Sequence, residues 1–248
     1  KQMRKRLDAL KAACQECIKN ELAPKLSEII KVEMPDSLEW ELKDDPDDKD
    51  SQTLLFHYPS VYEEGPAYLR RAVKIEMGAR SDTDPSESIK IAPYVNNIFP
   101  DLFAEMIEVH VVSPKRTFWE KCMLLHEETF RPNDKKKRKR FLARHYYDVF
   151  CLIKADVAEE AAKDIELFKR ISAHRQVFFR YTWVDYSTLA PGQLRMLPLD
   201  SQKKDWRSDY ENMETEMFYG DVPGFDEVIK AVQEFQNNFN QSFNGNVV

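Results

Sequence analysis

Three segments of this chain carry residue types at spacings that could act on a phosphate ester. In Val73-Lys74-Ile75-Glu76-Met77-Gly78, a period of two sends Val73, Ile75 and Met77 to one face of a strand and Lys74 and Glu76 to the other. A carboxylate on the polar side of a central strand is costly unless it is solvated, paired or metal-bound. Glu76 is therefore a candidate metal ligand or base, with a salt bridge to a nearby cation as the plain alternative. In Pro114-Lys115-Arg116-Thr117-Phe118-Trp119-Glu120-Lys121, a helix opens after a strand. Arg116 and Lys121 stand within a turn and a half of each other. Together they could grip a triphosphate, the lysine as a compact charge and the arginine as a two-pronged donor. The alternative is an Arg116–Glu120 ion pair at i,i+4 on a solvated face. In Arg144-His145-Tyr146-Tyr147-Asp148, Arg144 and Asp148 are four apart on one helix face, where Asp148 could orient a lysine or a nucleophilic hydroxyl. His145 is turned roughly 100° from Arg144 and reads as an interfacial histidine.

A fourth segment is an unbroken basic run, Lys135, Lys136, Lys137, Arg138, Lys139 and Arg140, between Phe130 and Phe141. Such a loop suits a nucleic-acid phosphate backbone, and equally a solvated turn.

The elements that must position these residues follow from apolar periodicity. Leu7, Leu10, Cys14, Cys17 and Ile18 predict an amphipathic helix over 1–21, and Pro24 predicts a restart into a second short helix ending near Val32. Segments 37–42, 53–58, 72–79 and 107–112 are rich in β-branched and aromatic residues and predict strands of one sheet. Beyond Pro114 the pattern turns helical, over 116–130, 138–154, 157–180, 206–218 and 225–238. The expected fold is α+β, with a mixed-sheet region and its leading helices in 1–113 and a helical region in 114–248.

Composition sets the outer bounds. The 248 residues, 42% hydrophobic, can bury a sizeable core, and the net charge of -6 argues against a protein that coats nucleic acid indiscriminately. No apolar run approaches the roughly 18 residues of a membrane span. No signal-peptide block opens the chain, so the expected compartment is the cytoplasm. Four scattered cysteines predict reduced thiols. The Cys14-x-x-Cys17 pair reads as two helix-face residues packed in a core, because no second pair follows at zinc-ligand spacing. A glycine-rich phosphate loop, H-E-x-x-H and G-x-S-x-G are all missing from a chain with six glycines.

Several stretches, in order, resemble the AbiEii/AbiGii toxin family of nucleotidyltransferase-fold proteins. They are 54–59 (Leu-Leu-Phe-His-Tyr-Pro), 73–80 (Val-Lys-Ile-Glu-Met-Gly-Ala-Arg), 116–121 (Arg-Thr-Phe-Trp-Glu-Lys), 124–128 (Leu-Leu-His-Glu-Glu), 144–148 (Arg-His-Tyr-Tyr-Asp) and 206–210 (Trp-Arg-Ser-Asp-Tyr). Such proteins are similar to DNA polymerase β-type enzymes, in which three carboxylates hold two magnesium ions and an in-line attack transfers a nucleotide. The resemblance puts the third carboxylate on Glu76, the phosphate-contacting lysine on Lys121 and a later helix aspartate on Asp148, with Arg116 and Arg144 as supporting cations for the nucleotide. It implies a magnesium-dependent toxin of a bacterial toxin–antitoxin or phage-defence pair. That toxin would take nucleoside triphosphates, use RNA, a transfer RNA end among the candidates, as acceptor, and meet a cognate antitoxin.

The resemblance departs in one respect: the family's G-G-T-S-L-x-K loop and D-x-D strand are not found, so this chain itself is expected to be inactive. The alternatives are a non-catalytic module that binds nucleic acid or an antitoxin, and a metal-dependent nuclease.

Overall fold

A computed structural model describes residues 2–60, 71–79, 82–100, 106–132, 138–214, 217–218 and 220–244. Lys135, Lys136, Lys137 and Arg80 lie outside the described residues. The chain divides into two compact units, Lys1–Ser81 and Asp82–Val248.

The first unit opens with α1 (Gln2–Cys17), a π turn (Ile18–Leu22) and α2 (Ala23–Glu33). Pro24 does not restart the helix, because Cys17, Leu22 and Ala23 all keep right-handed helical backbone. Proline lacks an N–H and its ring crowds the carbonyl four residues back, and a wider turn ahead of it relieves that conflict. The Ala23 N–H accordingly donates to the Ile18 carbonyl five residues back. Cys17 is exposed and Cys14 half-buried, so the expected packing of this pair in a core is not what forms; both are free thiols.

Three strands follow, β1 (Glu41–Asp44), β2 (Thr53–His57) and β3 (Ala72–Glu76), all antiparallel with β2 in the middle. Leu54 and Leu55 of β2 are both buried, as a middle strand covered on two faces requires. The acidic turn between β1 and β2 is a hydrogen-bonded device. Asp48 accepts the backbone N–H groups of Asp50 and Gln52 at 2.9 and 2.8 Å and the Thr53 hydroxyl at 2.7 Å. Short aspartate side chains mimic a backbone turn in this way.

The second unit begins with a separate antiparallel pair, β4 (Ser86–Ile91) and β5 (Ile107–Val112), in the register Ser86↔Val112 to Ile91↔Ile107. The strands therefore form two small antiparallel sheets and not the single mixed sheet expected, while the class is α+β. β4 escaped the sequence reading because Ser86-Glu87-Ser88 after Asp84-Pro85 looks like turn chemistry. Paired with β5, β4 nevertheless completes a six-residue ladder.

Helices build the rest: α3 (Pro114–Thr129), α4 (Arg144–Lys154), α5 (Val157–Lys163), α6 (Ile165–Phe178), α7 (Asp200–Glu214) and α8 (Phe225–Asn244). The single helix expected over 157–180 is broken at Asp164, whose carboxylate accepts the Leu167 N–H at 3.0 Å and starts α6 as its N-cap. The expected start at residue 138 slips to Arg144, because Phe141 adopts a left-handed φ of 65° that no continuous helix allows.

α3 is buried on most sides at the centre of this unit's core, with Phe118, Trp119, Cys122, Met123 and Leu125 fully buried alongside the polar Arg116, His126, Glu127 and Glu128. Trp119 meets Phe168 of α6 edge-on at 4.9 Å and donates its indole N–H to the Ala161 carbonyl at 3.1 Å. Phe118 meets Phe235 of α8 at 4.9 Å. Among the described residues no helix is long and apolar enough to cross a membrane.

Candidate functional site

α3 and α4 lie side by side because their large apolar residues share one core, and that packing fixes the polar residues along their seam. Lys121 on α3 places its ammonium 2.6 Å from Asp148 Oδ2 on α4, each side chain about a quarter exposed (25% and 28%). His145, one turn before Asp148, brings Nδ1 to 3.4 Å from the same ammonium and 3.7 Å from Asp148 Oδ2.

The protonation states follow from this environment. Burial alone would raise the Asp148 carboxyl, but the His145 and Lys121 contacts outweigh it and hold the group below its ordinary value. Burial is also the largest influence on His145 and lowers it, reinforced by the Lys121 and Arg144 charges and opposed by Asp148. The imidazole is then neutral near pH 7. Its nitrogen facing the ammonium is best unprotonated, so the proton belongs on Nε2. An ammonium has three N–H donors. With Asp148 and His145 facing two of them, Lys121 retains one for an oxygen arriving at the partly open edge of the seam.

The other expected residues stand apart from this trio or are otherwise engaged. Arg144 turns back to donate to the Phe141 carbonyl at 2.7 Å. Arg116 is fully buried. Its Nε donates to Glu120 at 2.9 Å, and its Nη1 donates to Asp82 Oδ2 at 3.0 Å and to the Asp84 carbonyl at 2.6 Å. Nη2 meets no acceptor among the described residues. Arg170 of α6 grips the same segment through Asp82, the Asp84 carbonyl and the Asp84 carboxylate. The i,i+4 pair read from the sequence exists, but its arginine is fully buried while Glu120 stays partly exposed.

Asp82-Thr83-Asp84 also spells D-x-D, which the sequence reading passed over. The motif sits in irregular chain ahead of β4, not on a strand, and both of its carboxylates are held by arginines.

Glu76, in the other unit, ends β3, which is an edge strand of its sheet and not the central one expected. Its side chain is 68% exposed and pairs with Lys74 at 2.8 Å. Among the described residues no cluster of three His, Cys, Asp or Glu side chains could hold a metal ion. Of the basic run, Arg138 lies over the Trp206 ring at 3.8 Å and reaches Glu128 at 3.4 Å, while Lys139 and Arg140 are exposed.

Two buried polar systems on α3 have partners that the sequence pattern did not point to. Glu127 takes a bidentate pair of hydrogen bonds from Arg175 of α6 at 2.8 and 2.6 Å. His126 Nδ1 accepts the Arg195 N–H at 3.0 Å, so Nε2 carries the proton and faces the Thr188 hydroxyl at 3.1 Å. Leu124-Leu125-His126-Glu127-Glu128 was legible as helix, but its partners lie 48 to 69 residues away.

The profile of the family described as "Nucleotidyl transferase AbiEii toxin, Type IV TA system" matches residues 2–235. No curated protein and no solved structure matches the chain.

Proposed function

The chain belongs to the AbiEii nucleotidyl transferase toxin family of type IV toxin–antitoxin systems, and from that premise we propose that the Lys121–Asp148–His145 seam handles the triphosphate in transfer of a nucleotide from a nucleoside triphosphate to an RNA acceptor. The observation that carries this reading is the 2.6 Å Lys121–Asp148 contact at a seam that is neither sealed nor fully solvated. Lys121 offers a fixed positive charge to a phosphate oxygen. Asp148 orients the ammonium and neutralises it in the absence of ligand, and neutral His145 restricts its remaining freedom. A transfer RNA end is the acceptor implied by the family resemblance, and the cognate antitoxin is the expected protein partner. Triphosphates and RNA put such a reaction in the cytoplasm, in a toxin–antitoxin or phage-defence setting.

A divalent cation, magnesium in this reading, is the cofactor such transfer chemistry implies. The described residues do not make its site. Glu76 supplies one carboxylate, already paired with Lys74, and one carboxylate leaves most of a magnesium shell to water.

The test is the melting temperature of the chain with each of the four nucleoside triphosphates, with and without magnesium, beside incorporation of labelled nucleotide into RNA. A ligand that binds only the folded state must raise the melting temperature by mass action. A rise with one triphosphate, lost in Lys121→Ala, supports the seam as its site. No rise with any of the four overturns it. A rise without incorporation assigns the chain to nucleotide binding without transfer, the reading that the lone carboxylate at Glu76 favours.

A further inference from the structure

The C-terminal end of α3 gathers cations and aromatic rings that the seam does not use. Glu128, buried at 5% exposure, is shared by two guanidinium groups. Arg131 donates to both of its oxygens at 2.6 and 2.5 Å, and Arg138 reaches it at 3.4 Å. One carboxylate cannot neutralise two arginines, so the site keeps a surplus positive charge. Arg131 also lies 5.4 Å from the centre of the Trp183 ring, and Arg195 lies 4.5 Å over Phe130. Arg180, Lys139 and Arg195 are exposed beside these anchors in sequence; Asp185, also exposed, is turned onto Ser187 at 2.6 Å, and Asp205 lines the same recess as Lys139.

The aromatic component is a stacked pair. Tyr181 and Trp183 lie with ring centres 4.5 Å apart and an interplanar angle of 22°. Tyr181 is 36% exposed. The turn is held before any ligand arrives, since the Tyr186 hydroxyl accepts the Tyr181 N–H at 3.1 Å and donates to the Phe179 carbonyl at 3.0 Å. An exposed aromatic ring on a rigid turn contributes stacking area at little ordering cost. Flanked by surplus arginine charge, it matches the chemistry of an unpaired base with its two adjoining phosphates. A duplex does not fit it, because paired bases present no free face.

We propose that this surface binds an unpaired nucleic-acid strand, one base stacking on the Tyr181–Trp183 pair while Arg131, Arg180 and Arg195 meet the flanking phosphates. The proposal rests on the reading of a nucleic-acid acceptor and gives that acceptor a place. Glu128 lies seven residues beyond Lys121 on α3, about 10 Å along the helix axis, so a strand held here can extend toward the seam.

The experiment is fluorescence anisotropy of the full chain with labelled ten-nucleotide oligo(rA), oligo(rU) and oligo(dA), a duplex of equal length, and heparin as a base-free polyanion, all without triphosphate. Wild type is expected to prefer the single strands to the duplex. Tyr181→Ala is expected to weaken single-strand binding about tenfold, the loss typical of one stacked base, while leaving heparin unaffected; Tyr181→Phe keeps wild-type affinity and controls for folding. Tyr181-dependent binding of RNA alone, DNA alone or both supports the site and identifies its strand. Tyr181→Ala binding single strands as wild type does, or equal affinity for duplex and single strand, overturns it. Because binding is read without turnover, failure of transfer at Lys121 leaves this result intact, and the converse also holds.

Discussion

Lys121 and Asp148 belong to neighbouring helices, and their 2.6 Å contact is the point where the seam between α3 and α4 turns from apolar packing to charge. It fixes the direction of the Lys121 ammonium before a substrate is present. Asp148→Asn keeps the shape and removes the charge. The rise in melting temperature with triphosphate is expected to be lost, because the ammonium no longer holds its direction. The stability cost is only about 1 kcal/mol, because the pair is partly solvated. The Asp148 carboxyl is held below its ordinary value. Its stabilising contribution is therefore complete above the unfolded value of 3.8 and is lost as pH falls through the folded value. Melting temperatures with and without triphosphate, and urea melts at pH 7 and in acid, check both parts.

His126 gives a second pH dependence, in a higher window. Burial, with the nearby Arg195 charge, lowers its pKa from 6.5 to about 4. The unfolded chain takes up a proton below pH 6.5 while the folded chain does not, so stability is full above 6.5 and is lost as pH falls toward 4. A shift of that size corresponds to about 3 kcal/mol. Protonation also breaks the acceptor role of Nδ1 toward the Arg195 N–H. Urea midpoints between pH 7.5 and 4 should fall for the wild type and flatten in His126→Gln.

The buried Glu127–Arg175 pair predicts an asymmetry between single and double variants. Arg175→Met strands an unpaired carboxylate in a site only 1% exposed, which is expected to cost about 3–5 kcal/mol. Replacing both partners, as Glu127→Leu with Arg175→Met, should be milder than the single change. Equal or greater loss in the double variant, measured by denaturant midpoints, would show that the pair itself contributes net stability.

Arg116 should not tolerate lysine. Arg116→Lys keeps the charge but cannot reach Glu120, Asp82 and the Asp84 carbonyl together, contacts that the planar guanidinium now makes at 2.6 to 3.0 Å. A loss of about 1–3 kcal/mol is expected, with proteolysis near residues 82–85 rising in parallel.

Local spacing made the helices around Lys121 and Asp148 legible, because apolar residues recur at three and four positions through α3 and α4. The same rule missed the break at Asp164, where a capping carboxylate interrupts a run otherwise suited to helix. It also missed β4, whose apolar residues are few and whose strand character comes from its partner β5. The placement of the candidate residues was less legible still. The Arg170 grip on Asp82 and Asp84 spans 86 to 88 residues, and no periodicity records a contact at that separation. Glu76 was expected on a central strand, but strand order depends on pairing partners that its own alternation does not encode.

α4 has no capping side chain of its own at Ala143. Asp209 of α7 supplies one from 66 to 68 residues away, its two oxygens accepting the Phe141 and Ala143 N–H groups at 2.7 and 2.9 Å. The helix that carries His145 and Asp148 is thus tethered by a distant residue and not by the basic stretch that leads into it. Arg138 of that stretch and Arg131 ahead of it are both held by Glu128. Asp148 is therefore positioned in part from α7, and a change at Asp209 would be felt at the Lys121–Asp148 seam.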